Sequence, residues 1–340
     1  MTLGLWTSLG LILLGGILQG SFGVPMKHAP HWRHENIWLV FSFTGLVLFP
    51  WLWTLCTVGR VAEVYVAAPL ANLFTVVAFG VGWGIGAVLT GVGMNLLGIG
   101  LGLGIILGVC ASVGSLVPYL ALEGGRLSSA RGVRYLAGTA IMFGGIALVT
   151  AAGIAREKES TPGASRSRGS VWTGLAVCIG SGLLSSMLNF SFAFGDDVMQ
   201  AASRLGTSPL WTANVVIAPA TSGGFLANLA FCAYHFRRQH SLLLFWKPGM
   251  AGHWVAGILM GAFWFGGLAL YGMGQHGMGS HGAVLGWPIL MGALVIASNV
   301  AGMLTGEWNR TGRRTRGLLA AGCAVILAAL AVLAGAQSGS

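Results

Sequence analysis

Residues 3–24 read LGLWTSLGLILLGGILQGSFGV. The stretch holds no Lys, Arg, Asp or Glu, and its length matches the roughly 20 apolar residues that a helix needs to cross a bilayer. No basic residue precedes it and no small-residue cleavage motif follows. It therefore reads as a first transmembrane span and not as a leader, which would carry a basic flank and a shorter core. The rest of the chain repeats the pattern. Apolar runs over roughly 37–58, 70–92, 96–122, 135–153, 171–194, 210–236, 251–273, 280–306 and 317–336 bring the predicted total to ten helical spans. Glycines break up the fourth and ninth.

Composition agrees. Of 340 residues, 55% are apolar and 8% charged, where a soluble domain carries about 25% charge. Mean hydropathy is +0.79. Soluble enzymes, nucleic-acid modules and disordered tails are excluded. So is an outer-membrane barrel, whose strands alternate in hydrophobicity over about ten residues. The net charge of +10 needs no nucleic-acid partner, because basic residues accumulate in the cytoplasmic loops of multispan proteins. Cys56, Cys110, Cys178, Cys232 and Cys323 stand singly in apolar surroundings without a CxxC pair, which is the pattern of small buried hydrophobes.

With ten spans, alternate loops share a side. One side takes Lys27, Arg33, Arg156, Lys158, Arg166, Arg168, Arg237, Arg238, Lys247, Arg310, Arg313, Arg314 and Arg316. The other takes Arg60, Arg126, Arg131, Arg134 and Arg204. The positive-inside rule assigns the first group to the cytoplasm and both termini to the periplasm. The one sizeable linker, 154–170, divides the chain into five spans in 1–153 and five in 171–340. An odd number per half makes any repeat inverted, and inverted repeats place a substrate near the midplane between the halves. Two echoes fall on equivalent spans. Leu18-Gln19-Gly20-Ser21-Phe22 parallels Leu188-Asn189-Phe190-Ser191-Phe192. Trp83, Gly86, Leu89, Gly91 and Gly93 parallel Trp264, Gly267, Leu270, Gly272 and Gly274.

A lone amide in hydrocarbon is costly unless it finds partners. Gln19 shares a helical stripe with Gly15, Gly16 and Gly23, and Asn189 shares one with Gly182, Ser185, Ser186 and Ala193. Small residues mark a packing or cavity face, so both amides are expected to point inward, either gluing helices or binding a shared ligand. An amide donates and accepts at once, as a sugar hydroxyl does. A flat ring covers the C–H face of a sugar, and Trp83, Trp264 and Tyr271 are placed to supply one. Trp6, Trp38, Trp51, Trp53, Trp211 and Trp308 are expected in the interfacial belts. Lys27, at the end of the first span, is a candidate for closing the cavity or holding substrate. The run GIGLGLGIILG over 98–108 lacks the context of a nucleotide loop and reads as close packing or an unwound stretch beside a cavity.

All eight acidic residues fall in loops or at span ends. Intramembrane acids are the usual proton carriers, so the candidates for coupling are Asp196 and Asp197 just after the sixth span, and His276 at the end of the eighth. His28, His31 and His34 recur at metal-like spacing, but basic neighbours disfavour a cation. No metal and no cofactor is expected.

Several of these segments carry a family resemblance. Gln19-Gly-Ser-Phe-Gly-Val-Pro25-Met-Lys27, Glu35-Asn-Ile-Trp38 and Pro50-Trp51 resemble the opening of the L-rhamnose–proton symporters. Trp83-Gly-Ile-Gly86, the glycine run to Gly108, Glu123-Gly-Gly-Arg126 and Glu307-Trp-Asn-Arg-Thr-Gly-Arg313-Arg314 resemble their later motifs. The resemblance implies an all-α membrane protein with ten helices in an inverted five-plus-five repeat, the drug/metabolite transporter fold. It also implies import of a monosaccharide, L-rhamnose or a related deoxy sugar, with protons across the bacterial inner membrane. The pair Asp196-Asp197 is not part of the pattern. The competing readings are an exporter of the same superfamily and a non-transporting receptor or scaffold. An intramembrane enzyme would need a mid-span nucleophile with a base, or a metal set, and none converges.

Overall fold

The computed structural model describes residues 4–123, 129–160, 168–278 and 282–338. Much of the predicted linker, and the Gly-Gly-Arg that follows Glu123, lie outside the described residues. Among those described, every regular element is helical, and ten stretches are long and apolar enough to span a membrane. In chain order they are Leu5–His28, His34–Thr57, Leu70–Leu97, Gly100–Ala121, Gly132–Glu159, Val171–Arg204, Pro209–Gln239, Ala251–Gly277, Val284–Leu304 and Arg313–Gly335. Helices are what a bilayer demands, because they satisfy every backbone N–H and C=O within the segment.

The fourth span differs from expectation. Its glycines do not unwind it: Ile99–Glu123 is one continuous helix. The break falls just before, at Gly98, where φ is +84° and the chain reverses between the third and fourth spans. Glycine is the residue for which that conformation is free of strain. The interruptions lie elsewhere. The second span contains one wide turn over Thr44–Leu48, just before Pro50, which has no N–H to give the helix. The sixth is helical over Arg168–Ser185, breaks, resumes over Met187–Phe194, and breaks again at Gly195.

Packing relies on missing side chains. The first span lies in the groove between the eighth and ninth. A Cβ on Gly15 would come 2.6 Å from the Gly267 carbonyl, and one on Gly20 would come 2.6 Å from the Leu294 carbonyl. The sixth span packs on the third and fourth, the third on the seventh, the second on the eighth, and the fifth on the tenth. Gly86 abuts Ser185 and Gly93 abuts Cys178, while Gly267 abuts Gly15 and Gly274 abuts Ser8. Close approach of this kind is how helices associate in lipid, where no hydrophobic force drives them together. Trp6, Trp172 and Trp246 are largely exposed and project outward.

At Gly80 a Cβ would stand 1.9 Å from the Ala220 carbonyl oxygen, which is backbone and cannot yield. Beside Gly91 there is open space. Gly80→Ala is therefore expected to lose about 1–3 kcal/mol through overpacking, although alanine is the better helix former. Gly91→Ala is expected to be neutral or stabilising. Thermal unfolding midpoints of the two purified variants in detergent distinguish these outcomes.

Candidate functional site

A cavity of about 290 Å³ opens at the centre of the bundle. That is at the small end of small-molecule sites, which run from roughly 300 Å³. Both halves of the chain line it. The first half supplies Gln19, Trp38, Phe41, Trp83, Thr90 and an apolar wall from Leu103, Ile106 and Leu107; the second supplies Ser185, Asn228, Trp264, Trp287 and Ser298.

The indoles of Trp83 and Trp264 stack on each other, with centroids 5.1 Å apart and planes 28° from parallel. Trp264 is held edge-on by Phe41, which packs on Trp38 and Phe22. The Gln19 amide reaches the Trp264 carbonyl at 3.4 Å, a long contact. Trp38 Nε1 donates to Asn228 Oδ1 at 2.8 Å, and Asn228 Nδ2 donates to the Gly224 carbonyl. Trp287 Nε1 donates to the Cys110 carbonyl at 3.2 Å. Thr90 and Ser181 hydroxyls lie 3.0 Å apart. The result is a slot with aromatic faces and a few polar groups around it, able to take a small ligand with one apolar face and several hydroxyls.

Lys27 lines neither the cavity nor the space beyond it and is engaged with Glu307 and Thr305; the other expected site residues divide into three groups. Gln19, Trp83 and Trp264 line the cavity. Asn189 and Tyr271 do not: they sit in the wall behind it. Tyr271 Oη donates to Asn189 Oδ1 at 2.6 Å, and Asn189 Nδ2 donates to the Gly114 carbonyl at 2.7 Å. Both are fully buried, and Tyr271 is packed edge-on by Phe192 and Trp287. This geometry joins helices. Asp196, Asp197 and His276 lie apart from the cavity at the opposite end from Lys27. The two carboxylates are exposed and accept hydrogen bonds from Gln200 and Asn72. His276 meets the Thr212 hydroxyl at 3.4 Å.

Trp38 and Trp308, expected in the interfacial belt, point inward. Trp38 lines the cavity. Trp308 is 4% exposed and carries the Arg156 guanidinium 4.9 Å above its ring. A Trp near a span end looks the same in sequence whichever way it faces. Asn228 is a mid-span amide like Gln19 and Asn189, and the criterion that marks those two marks it as well. Of the three clustered histidines, His31 sits beside His253 and His34 stacks on Trp38.

The two ends of the cavity differ. Towards the end that carries Lys27 and Arg156 it shares Leu103, Leu107 and Ser298 with a vestibule of about 840 Å³. Arg156, Glu157, Asn299, Glu307 and Trp308 line that vestibule. Glu307 takes Lys27 at 2.6 Å and Arg156 at 3.0 Å. Partial burial works to raise its carboxyl, but the two cations outweigh burial and hold it below the usual carboxylate range. At the far end the second span and the segment after it are tied to the seventh. Thr54 donates to the Asn214 carbonyl at 3.1 Å, Asn214 Nδ2 donates to Thr57 at 2.9 Å, and Tyr65 donates to the Val215 carbonyl. Thr54 and Asn214 are buried.

A family model described as the L-rhamnose-proton symport protein matches residues 3–338. Among curated proteins, the chain is 28% identical over 324 residues to the L-rhamnose-proton symporter of Cronobacter sakazakii, covering 93% of each. It is 26% identical over 331 residues to the symporter of the same name in Escherichia coli O1:K1 / APEC, covering 93% of this chain and 94% of that one. The Shigella sonnei protein of that name is 27% identical over the same length.

Two outcomes follow. Asn189→Ala leaves the Tyr271 hydroxyl and the Gly114 carbonyl without their partner and is expected to destabilise by about 1–3 kcal/mol per orphaned group, read as a lower unfolding midpoint in detergent. The Glu307 contacts bear on pH. A carboxyl lowered on folding contributes its full stabilisation above its unfolded value, about 4.3, and loses it as pH falls through the lower folded value. Spin labels at His28→Cys and Arg310→Cys are therefore expected to keep one distance between about pH 7 and 5. Glu307→Gln is expected to broaden that distance at every pH.

Proposed function

The chain belongs to the L-rhamnose-proton symporter family, and on that premise we propose that it imports L-rhamnose or a closely related deoxy sugar together with protons across the bacterial inner membrane. It works by alternating access and is a transporter rather than an enzyme. The observation that carries the reading is the stacked Trp83–Trp264 pair, walled by leucines and ringed by Gln19, Asn228, Thr90 and Ser185 at the meeting of both halves. A deoxy sugar has a methyl group and a C–H face to lay on indole and leucine, and hydroxyls for the amides and hydroxyls around them. The protein binds by supplying these two surfaces at once.

The fold belonging to this reading is an inverted repeat of 1–153 and 171–340 in the drug/metabolite transporter arrangement. Several packing relations support it. The first span lies between the eighth and ninth as the sixth lies on the third and fourth. Gly86 on Ser185 corresponds to Gly267 on Gly15, and Gly93 on Cys178 corresponds to Gly274 on Ser8. The offsets are 181 for the glycines and 170 for their partners in both cases, the same as those of the two sequence echoes. Trp83 and Trp264, equivalent by the first offset, meet each other, as residues beside a two-fold axis do.

The excess of Lys and Arg around Lys27, Arg156 and Arg237 assigns that end to the cytoplasm and both termini to the periplasm. The vestibule then faces inward, and the structure is the sugar-releasing state. In the opposite state the Thr54–Asn214–Thr57 ties open and the ends bearing Lys27 and Glu307 close further.

Proteoliposomes offered labelled L-rhamnose and a panel of other monosaccharides test the reading. Rhamnose uptake enhanced by an inside-alkaline pH gradient is expected. Gln19→Ala and Asn228→Ala are expected to weaken uptake affinity roughly two- to tenfold each, the value of one neutral hydrogen bond, while remaining folded. Absence of sugar flux in the unmodified protein would overturn the reading.

A further inference from the structure

The proposed symport needs a group that takes up and gives back a proton, and one span end buries such a group. Glu35 opens the second span, where a carboxylate is expected to meet water, yet it is 3% exposed. Among the described residues no other Asp or Glu is buried. Its partner is neutral: the Ser241 hydroxyl donates to Oε1. Asn36 Nδ2 holds the Ser241 carbonyl at 3.0 Å, fixing the donor in place. No Lys, Arg or His lies within ion-pair range of Glu35 among the described residues. The titratable groups around it are His34 on its own helix, Cys232 on the seventh span, and His235, which acts on His34. Arg33 is engaged with Gln239.

We propose that Glu35 is the carrier of the coupled proton, an inference that rests on the symport reading and names its missing group. A buried carboxylate with one neutral donor and no counter-ion is costly when charged and far less so when neutral. The inner ends of the second and seventh spans close over it. The same two spans carry the sugar contacts. Trp38 lies one turn beyond Glu35, and Asn228, which accepts its indole N–H, lies one turn before Cys232. A sugar that engages Asn228 or Trp38 alters the interface that buries Glu35, and protonation of Glu35 alters the interface that presents Trp38 and Asn228. The step is a simple one. A proton adds to a carboxylate oxygen of Glu35, and on release it passes to water at the inner face, with no other bond made or broken.

The test uses the full chain in proteoliposomes with labelled L-rhamnose. Two assays are run: counterflow against internal unlabelled sugar at equal pH, and accumulation driven by an inside-alkaline gradient. Glu35→Gln is expected to retain counterflow and to lose gradient-driven accumulation entirely. Glu63→Gln, which removes an exposed carboxylate paired with Arg60, is expected to keep both. Accumulation that persists in Glu35→Gln overturns the assignment, as does its loss, with counterflow kept, in Asp196→Asn with Glu35 unchanged. No rhamnose counterflow in the unmodified protein overturns the substrate reading, a different and recognisable result. Should Glu35→Gln fail to fold, Ser241→Ala decides. Loss of the Ser241 hydroxyl that holds Glu35 is expected to change the ratio of gradient-driven accumulation to counterflow, and an unchanged ratio overturns the proposal.

Discussion

Hydrocarbon offers no hydrogen bonds, so each polar group placed within it must find a partner inside the protein or face water in a cavity. That constraint organises the molecule. Backbone groups are satisfied by helix formation. Thr44, Thr54, Thr221, Ser42 and Ser115 return their hydroxyls to carbonyls a turn earlier on their own helices. Larger polar side chains cannot do this, and each has to be accommodated by another span. The glycines permit it, since they let the first span sink between the eighth and ninth and let the third meet the seventh backbone to backbone.

The constraint also explains why two amides in parallel positions have different surroundings. Gln19 and Asn189 occupy matching places in the two echoed segments. Asn189 is clamped between Tyr271 and the Gly114 carbonyl, with its oxygen and nitrogen both engaged. Gln19 has one long contact to a carbonyl and stands at the cavity surface. A saturated amide stiffens the bundle, whereas a loosely held one at a wet surface has capacity left for a ligand. Asn228 lies between these cases: its nitrogen is taken by its own helix and its oxygen by Trp38.

Electrostatics follow the same division of space. The ion pairs of Glu307 with Lys27 and Arg156 sit at the vestibule end and are partly exposed, where water screens them and weakens them individually. At the far end the ties between the second and seventh spans are neutral hydrogen bonds. At the Lys27 end Glu35 is enclosed with a neutral donor, in a way that the exposed Asp196 and Asp197 at the far end are not.

Much of this was legible in the amino-acid order. Ten apolar runs follow from hydropathy alone, because crossing lipid is a property of single segments. The inward stripes of Gln19 and of Gly15 and Gly16 follow from helical spacing, and Trp83 and Trp264 from their echo. Which polar side chains keep a free surface was decided by the tertiary structure. Asn189 looked as available as Gln19 until Tyr271, 82 residues away, closed over it. Trp38 looked like a belt residue until Asn228, 190 residues away, took its indole N–H. Glu35 stands at a span end in the sequence, and the fold buries it against Ser241. Periodicity tells which face of a helix is turned inward, but the partner waiting there arrives from a distant part of the chain, and hydrogen-bond capacity is exhausted or preserved only when the two meet.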